Sequence, residues 1–178
     1  MTHHKNTLNL AGPHAITSSM QIDSRSLSGR ISPLVATFFG AGLAPKAPGT
    51  FGSLAAIPVF LLIRRLPLKG YLAVIFALFL SGLKAAHDAE KLWGKDPSRV
   101  VIDEVVGMLL TLINRPKGYI PILAAFLVFR ALDILKPPPV GTLDRALSGG
   151  MGIMADDMAA GLIGALILAI LQREVEKQ

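Results

Sequence analysis

Cysteine is absent from the 178-residue chain. That removes disulfides, thiolate metal sites and any cysteine-nucleophile phosphatase chemistry together. Aromatic residues are scarce, at 6%, and no stretch interleaves them with clustered Arg and Lys as a nucleic-acid stacking platform requires. Nucleic acid is therefore not an expected partner. His87 is the only histidine outside the first 30 residues, so neither a Ser-His-Asp triad nor a phosphatase built on paired histidines is expected. Charge is thin as well: 17% of residues, against about 25% in ordinary soluble proteins. A clean apolar run of about 20 residues, the length that spans a bilayer, is also missing. The uncharged runs Ala47 to Ile63 (which contains a Pro-Gly turn signal), Gly70 to Leu83, Gly118 to Phe129 and Met158 to Gln172 all fall short. At 1.5 Å per residue, ten to fifteen helical residues cover roughly 15 to 23 Å, so core helices or shallow, partly inserted ones are expected.

What remains is 52% hydrophobic, with a mean hydropathy of +0.54. The 12 acids and 18 bases leave a charge of +6, a balance that suits an anionic surface or a phosphorylated substrate. Residues 1–30 are polar, carry no secretory signal and read as a flexible arm. On composition, His3 and His4 belong to a solvated tail rather than a metal site. Residues 31–178 are long enough for one domain with a sizeable core.

Polar, Gly- or Pro-marked segments alternate with apolar helical ones along that domain. "GAGLAPKAPGTFGSL" at residues 40–54 is loop by its breakers, and a helix capped by Ser53 should follow to Ile63. After "RRLPLKG", Gly70 to about Trp93 reads as a long helix stopped by Gly94. Ser98 is a candidate cap for a helix running to about Asn114. The segment "RVVID" alone resembles a strand because it is β-branched, but it has no evident partner. Tyr119 to Leu135 is helical, ended by Pro137-Pro138-Pro139. "SGGMGIMADD" reads as a Gly-rich approach to a last helix from about Asp156 to Leu171. The expectation is an all-α, compact multihelical bundle of about five to six helices. If each helix pair is a hairpin, the motif loops gather at one end, and "RRLPLKG", "RPKG" and the C-terminal tail lie at the other.

The acids fall at the motif end. Asp103 and Glu104 are adjacent at the start of an apolar run, and Asp156 and Asp157 repeat the pattern. Asp133 joins them, with Asp144 as a sixth carboxylate, and Lys46, Arg130, Lys136 and Arg145 stand beside them. Neighbouring carboxylates repel, and burying one uncompensated costs several kcal/mol. Clustered oxygen ligands without Cys or His are what Mg²⁺ selects, usually alongside a substrate phosphate, and the ion's charge makes the cluster tolerable. Simpler readings stand beside this one. An acid at a helix N-terminus complements the dipole, and Arg130, Asp133 and Lys136, at i, i+3 and i+6, form an ordinary ion-pair ladder. "PKAPGTFGS" lacks the Gly-Lys-Ser/Thr of a P-loop, although Lys46, Thr50 and Ser53 before a helix can cradle phosphate with backbone N–H groups.

Four ordered segments, "GAGLAPKAPGTFGSL", "VVIDEVVGM", "FRALDILKPPP" and "GGMGIMADDMAAG", together resemble the signature segments of the phosphatidylglycerophosphatase A family over about residues 31–172. The resemblance implies an all-helical, Mg²⁺-dependent lipid phosphatase of the bacterial inner membrane, acting on its cytoplasmic side. It would release phosphate from phosphatidylglycerophosphate in phospholipid biosynthesis. Asp103, Glu104, Asp156 and Asp157 would then hold one or two Mg²⁺ ions, while Lys46, Arg130 and Lys136 stabilise phosphoryl charge, with Thr50 and Ser53 in the phosphate cradle. Asp133 would orient Lys136 or act as a base, and an aspartyl-phosphate route stays open.

Two other classes remain. One is a non-enzymatic metal-binding membrane protein or transporter subunit, in which acids line an ion path mid-helix rather than at helix ends. The other is a phosphatase for a different lipid phosphomonoester. Basic residues flank the Gly70–Leu83 run on both sides (Arg64, Arg65 and Lys69 before it; Lys84, Lys91 and Lys95 after). The positive-inside rule therefore assigns no orientation, and a bundle seated in the cytoplasmic leaflet is the expected arrangement.

Overall fold

The computed structural model describes residues 27–176. Seven α-helices follow one another: α1 (Leu27–Ala36), α2 (Pro48–Ile63), α3 (Leu68–Trp93), α4 (Ile102–Thr111), α5 (Tyr119–Leu135), α6 (Val140–Ala146) and α7 (Gly149–Glu176). Short 3-10 turns sit at Ala41–Leu43 and Leu112–Asn114. The described residues contain no strand, so the all-α reading holds, with seven helices instead of five or six. The additions are α1 and α6. Leu27 to Arg30, assigned to the arm, open the first helix; residues 1–26, with His3 and His4, lie outside the described residues. The short linker after the three prolines winds into α6.

Four helix starts differ from the expected ones, that of α3 only by two residues (Leu68 rather than Gly70). Helix α2 begins at Pro48 rather than Ser53, because the left-handed Ala47 (φ 48°) turns the chain and a proline at the first helical position needs no N–H partner. Ser53 lies inside the helix, its hydroxyl donating to the Gly49 carbonyl at 2.8 Å. Helix α4 begins at Ile102 rather than at Ser98. Helix α7 begins at Gly149, seven residues before Asp156. The glycines that read as loop serve packing instead: a Cβ on Gly150 would strike the Leu83 carbonyl of α3, and one on Gly152 would lie 2.9 Å from the Leu147 carbonyl oxygen.

Helix α4 is the centre of the bundle. Ile102, Val105, Val106, Met108 and Leu109 are wholly buried, and each such side chain contributes about 1.5–3 kcal/mol of hydrophobic stabilisation. Helices α2, α3, α5 and α7 surround it, α7 most closely. Glycine sets that closeness. A Cβ on Gly161 of α7 would collide with the Gly107 carbonyl of α4, and one on Gly107 would lie 2.6 Å from the Asp157 carbonyl oxygen.

The chain runs out and back between the two ends, as expected. At one end Tyr71, just after "RRLPLKG", donates to the Leu109 carbonyl at 2.6 Å. Arg115 of "RPKG" lies over the same ring, 5.6 Å from its centroid. The chain returns from these turns to the opposite end, where the motif segments meet. There Val101 N–H bonds to the Ala36 carbonyl (2.9 Å), and Gly52 of α2 packs so closely on Val101 that a Cβ would lie 2.7 Å from its Cβ.

The expectation that no segment reaches span length is corrected. Helices α3 and α7 are long and apolar enough to cross a membrane by length and composition. Their 26 and 28 residues extend about 39 and 42 Å, against a hydrocarbon core of about 30 Å. Counting uncharged runs missed this because the helices continue through Lys84 and Asp157. Only 22% of the apolar stretch of α3 is buried, which is unlike a core helix. Leu72, Phe76 and Leu80 are exposed along one side of it at i, i+4 and i+8, and Leu162, Leu166 and Ile170 repeat the pattern on α7.

Candidate active site

A pocket of about 820 Å³ opens at the motif end. The start of α2, the first turn of α4, the last turn of α5, α6 and the first third of α7 all contribute to it. Asp103, Glu104, Arg130, Asp133, Lys136, Asp144, Asp156 and Asp157 line its wall.

Three of the acids converge. Asp103, Glu104 and Asp157 each offer a carboxylate oxygen, and these atoms lie within 4.8 Å of one another. The crossing of α4 and α7 explains why. Gly107 is one turn beyond Asp103 and Glu104, Gly161 is one turn beyond Asp157, and the two backbones touch at these glycines. Gly49 completes the wall, since a Cβ there would strike Glu104 Oε1 and lie 3.2 Å from Arg130 Nη1. Asp103 Oδ1, Glu104 Oε2 and Asp157 Oδ2 are sealed from solvent with no hydrogen-bond partner among the described residues. Like charges 4 Å apart repel by about 4 kcal/mol in such a setting. Burial, and then repulsion from Glu104 and Asp157, raise the Asp103 pKa well above the ordinary carboxylate range. Burial raises that of Glu104 too, with Asp133 adding repulsion and Arg130 easing it. Unpartnered, proton-hungry oxygens in a hard, all-oxygen set are what a divalent cation satisfies.

The cations are arranged around this cluster. Arg130 and Asp133, three apart on α5, form an ion pair in which each side chain is only 14% exposed. Arg130 Nη1 also reaches Ser53 Oγ at 3.4 Å. Lys136 ends α5 in a left-handed conformation (φ 45°, ψ 52°), a position glycine usually takes and a side chain occupies at a cost of about 1 kcal/mol. Its Nζ lies 2.7 Å from Asp144 Oδ1 and 2.8 Å from Asp156 Oδ2. Burial works against the Lys136 charge, but bonds to Asp144 and Asp156 outweigh it and hold the pKa above the usual lysine value.

Of the residues singled out in the sequence, Asp103, Glu104, Asp133, Asp156, Asp157, Arg130 and Lys136 meet in this pocket. Asp156 points to Lys136 rather than to the three converging acids, and Asp133 pairs with Arg130 rather than with Lys136. Ser53 is buried behind Arg130. Lys46 is exposed and Thr50 half-buried, and neither lines the pocket. Asp103 and Glu104 do sit in the first turn of their helix and Asp133 in the last of its own, but Asp156 and Asp157 lie well inside α7. Sequence reasoning missed Glu90, Lys95 and Asp96, which reach the mouth from the end of α3 and the loop after it. Their only signal was a charged turn with a left-handed residue, Asp96 (φ 46°), which the letters do not reveal.

Residues 34–172 match the family model described as phosphatidylglycerophosphatase A. A protein of that name from Escherichia coli (strain K12) is 44% identical over 137 residues, covering 76% of this chain and 80% of the relative. Another from Haemophilus influenzae is 38% identical over 142 residues, covering 78% and 87%. A putative phosphatidylinositol-3-phosphatase from Bacteroides thetaiotaomicron is 39% identical over 145 residues, covering 77% and 91%. No solved structure matches the chain significantly.

Proposed function

Because the chain belongs to the phosphatidylglycerophosphatase A family, we propose that it hydrolyses the terminal phosphomonoester of phosphatidylglycerophosphate to phosphatidylglycerol and phosphate. One observation supports this most: three carboxylates, each with one buried and unpartnered oxygen, share a pocket with Arg130 and Lys136. Asp103, Glu104 and Asp157 would hold Mg²⁺, which, when bound, supplies Lewis-acid polarisation and a more acidic water. Asp133 keeps the Arg130 guanidinium aimed into the pocket, where it binds phosphoryl oxygens and stabilises their charge. Lys136, held charged between Asp144 and Asp156, gives a second positive contact. Asp156 thus acts through Lys136, and Asp133 acts as a positioning residue rather than a base.

The substrate's acyl chains call for a lipid surface beside the pocket. We place the protein in the bacterial inner membrane with the pocket on the cytoplasmic side. The exposed apolar sides of α3 and α7 support the membrane part of this reading. Asp157 is eight residues along α7, about 12 Å from its start, a depth suited to a lipid head group.

The relative named as a phosphatidylinositol-3-phosphatase favours one second reading, a phosphatase for that lipid. Phosphate release by purified protein from the two lipids, with matched acyl chains, separates them. Wild-type kcat/KM should be at least about tenfold higher for phosphatidylglycerophosphate. A reversed preference would transfer the assignment to the second lipid, and no release from either would favour a non-enzymatic metal-binding or transport role.

A further inference from the structure

Two cations of the pocket have no anionic partner among the described residues. Lys95, in the loop after α3, and Arg145, in the last turn of α6, both line the pocket and are both exposed, which puts them at its mouth. Neither forms an ion pair among the described residues, whereas Arg130 is held by Asp133, and Lys136 by Asp144 and Asp156. The exposed acids at the mouth are Asp96 and Asp144, with Glu90 half-buried beside them; Asp144 is already paired with Lys136, and Glu90 Oε1 accepts the Asp96 backbone N–H at 3.3 Å. The volume of about 820 Å³ suits a whole small organic ligand, for which pockets run about 300–1,000 Å³. One phosphoryl group would leave most of it empty.

Resting on the proposed function, the chemistry of the substrate fills that space. Its head group carries two phosphates, the terminal monoester and a phosphodiester, joined by glycerol. With the monoester at the deep carboxylates, the diester lies toward the mouth, because the acyl chains beyond it must leave for lipid. We propose that Lys95 and Arg145 form a second anion subsite that binds this bridging phosphodiester. They are specificity-determining residues: they favour a head group with both phosphates over a lipid phosphomonoester lacking the diester. The same subsite retains the product, phosphatidylglycerol, which keeps the diester.

The product allows a test that needs no turnover. Binding of phosphatidylglycerol and of diacylglycerol with the same acyl chains is measured for the full chain in detergent with Mg²⁺. The comparison covers the wild type, Lys95→Ala, Arg145→Ala and, as a control at the opposite end, Arg65→Ala. The wild type and Arg65→Ala should prefer phosphatidylglycerol. Lys95→Ala and Arg145→Ala should each weaken that lipid about tenfold, as expected for loss of a charge-assisted hydrogen bond, and leave diacylglycerol unchanged. Both side chains are exposed, so the fold is kept, and thermal melting checks this. The proposal is overturned if either variant binds phosphatidylglycerol like the wild type, if both lipids weaken equally, or if the wild type does not distinguish them. Failure of the proposed function shows separately, as absence of phosphate release from phosphatidylglycerophosphate by the wild type.

Discussion

Asp103, Glu104 and Asp157 carry most of the unfavourable electrostatics of the site, and their behaviour without metal follows from it. Asp103→Asn, Glu104→Gln and Asp157→Asn should each lower kcat by at least about 10²-fold and hold or raise the melting temperature of the metal-free protein, because each removes a like charge from a crowded cluster. Near-native rates in all three would make these acids structural. The raised pKa values of Asp103 and Glu104 also set a pH dependence. A carboxyl whose pKa is higher folded than unfolded binds more protons in the folded state, so its stabilisation is present at acid pH. It is lost as pH rises from the ordinary carboxylate range through the raised values. Metal-free protein should therefore melt lower at pH 8 than at pH 5, and Mg²⁺ should restore more stability at pH 8; equal restoration at both would contradict a deprotonated metal site. Among the bases, Lys136→Ala should cost about 10²–10³ in kcat, and Lys46→Ala, whose side chain is exposed outside the pocket, should stay within a few-fold. Acids in an apolar chain are conspicuous, which is why the cluster was legible in the sequence. Which acid faces a metal and which a lysine was not, because Asp156 and Asp157 are adjacent letters that the helix turns about 100° apart.

Helix pairing was legible for a similar reason: breakers at Arg64–Gly70 and Arg115–Gly118 and the match of α5 to Tyr119–Leu135 come from local chemistry. Helix starts were less so. The glycines at 149–152 have the composition of a loop, yet they lie in α7 because backbone must approach α3 and the preceding turn closely. Only tertiary packing distinguishes those uses of glycine. The Gly107–Gly161 crossing is the clearest case, and it predicts a coupled loss. Gly161→Ala would place a methyl against the Gly107 carbonyl, a backbone atom that cannot step aside. Overpacking of this kind costs about 1–3 kcal/mol, several degrees of melting temperature in a domain this size. It should also separate Asp157 from Asp103 and Glu104, so the Mg²⁺ concentration for half-maximal activity should rise. Gly70→Ala, with its nearest neighbour at an ordinary 3.4 Å, is the control and should be neutral or slightly stabilising. Should the two substitutions behave alike, the crossing does not set the site.

The whole molecule places a polar pocket at one end of a bundle whose flanks are apolar. Replacing Leu72, Phe76 and Leu80 together by serine removes an exposed apolar row from α3. The triple variant should partition less onto anionic vesicles, yet keep kcat on detergent-dispersed substrate because no replaced residue lines the pocket. Unchanged partitioning would show that this side of α3 does not meet lipid. In the proposed function the three converging carboxylates bind a divalent cation, and water cleaves the phosphomonoester beside Arg130 and Lys136. This is tested most directly by phosphate release from phosphatidylglycerophosphate, titrated with Mg²⁺, for the wild type and Asp157→Asn. The wild type should show saturable Mg²⁺-dependent turnover that chelator abolishes and added metal restores, and Asp157→Asn should be at least about 10²-fold slower at all Mg²⁺ concentrations. Full turnover after exhaustive chelation, or an Asp157→Asn enzyme as fast as the wild type, would contradict this mechanism.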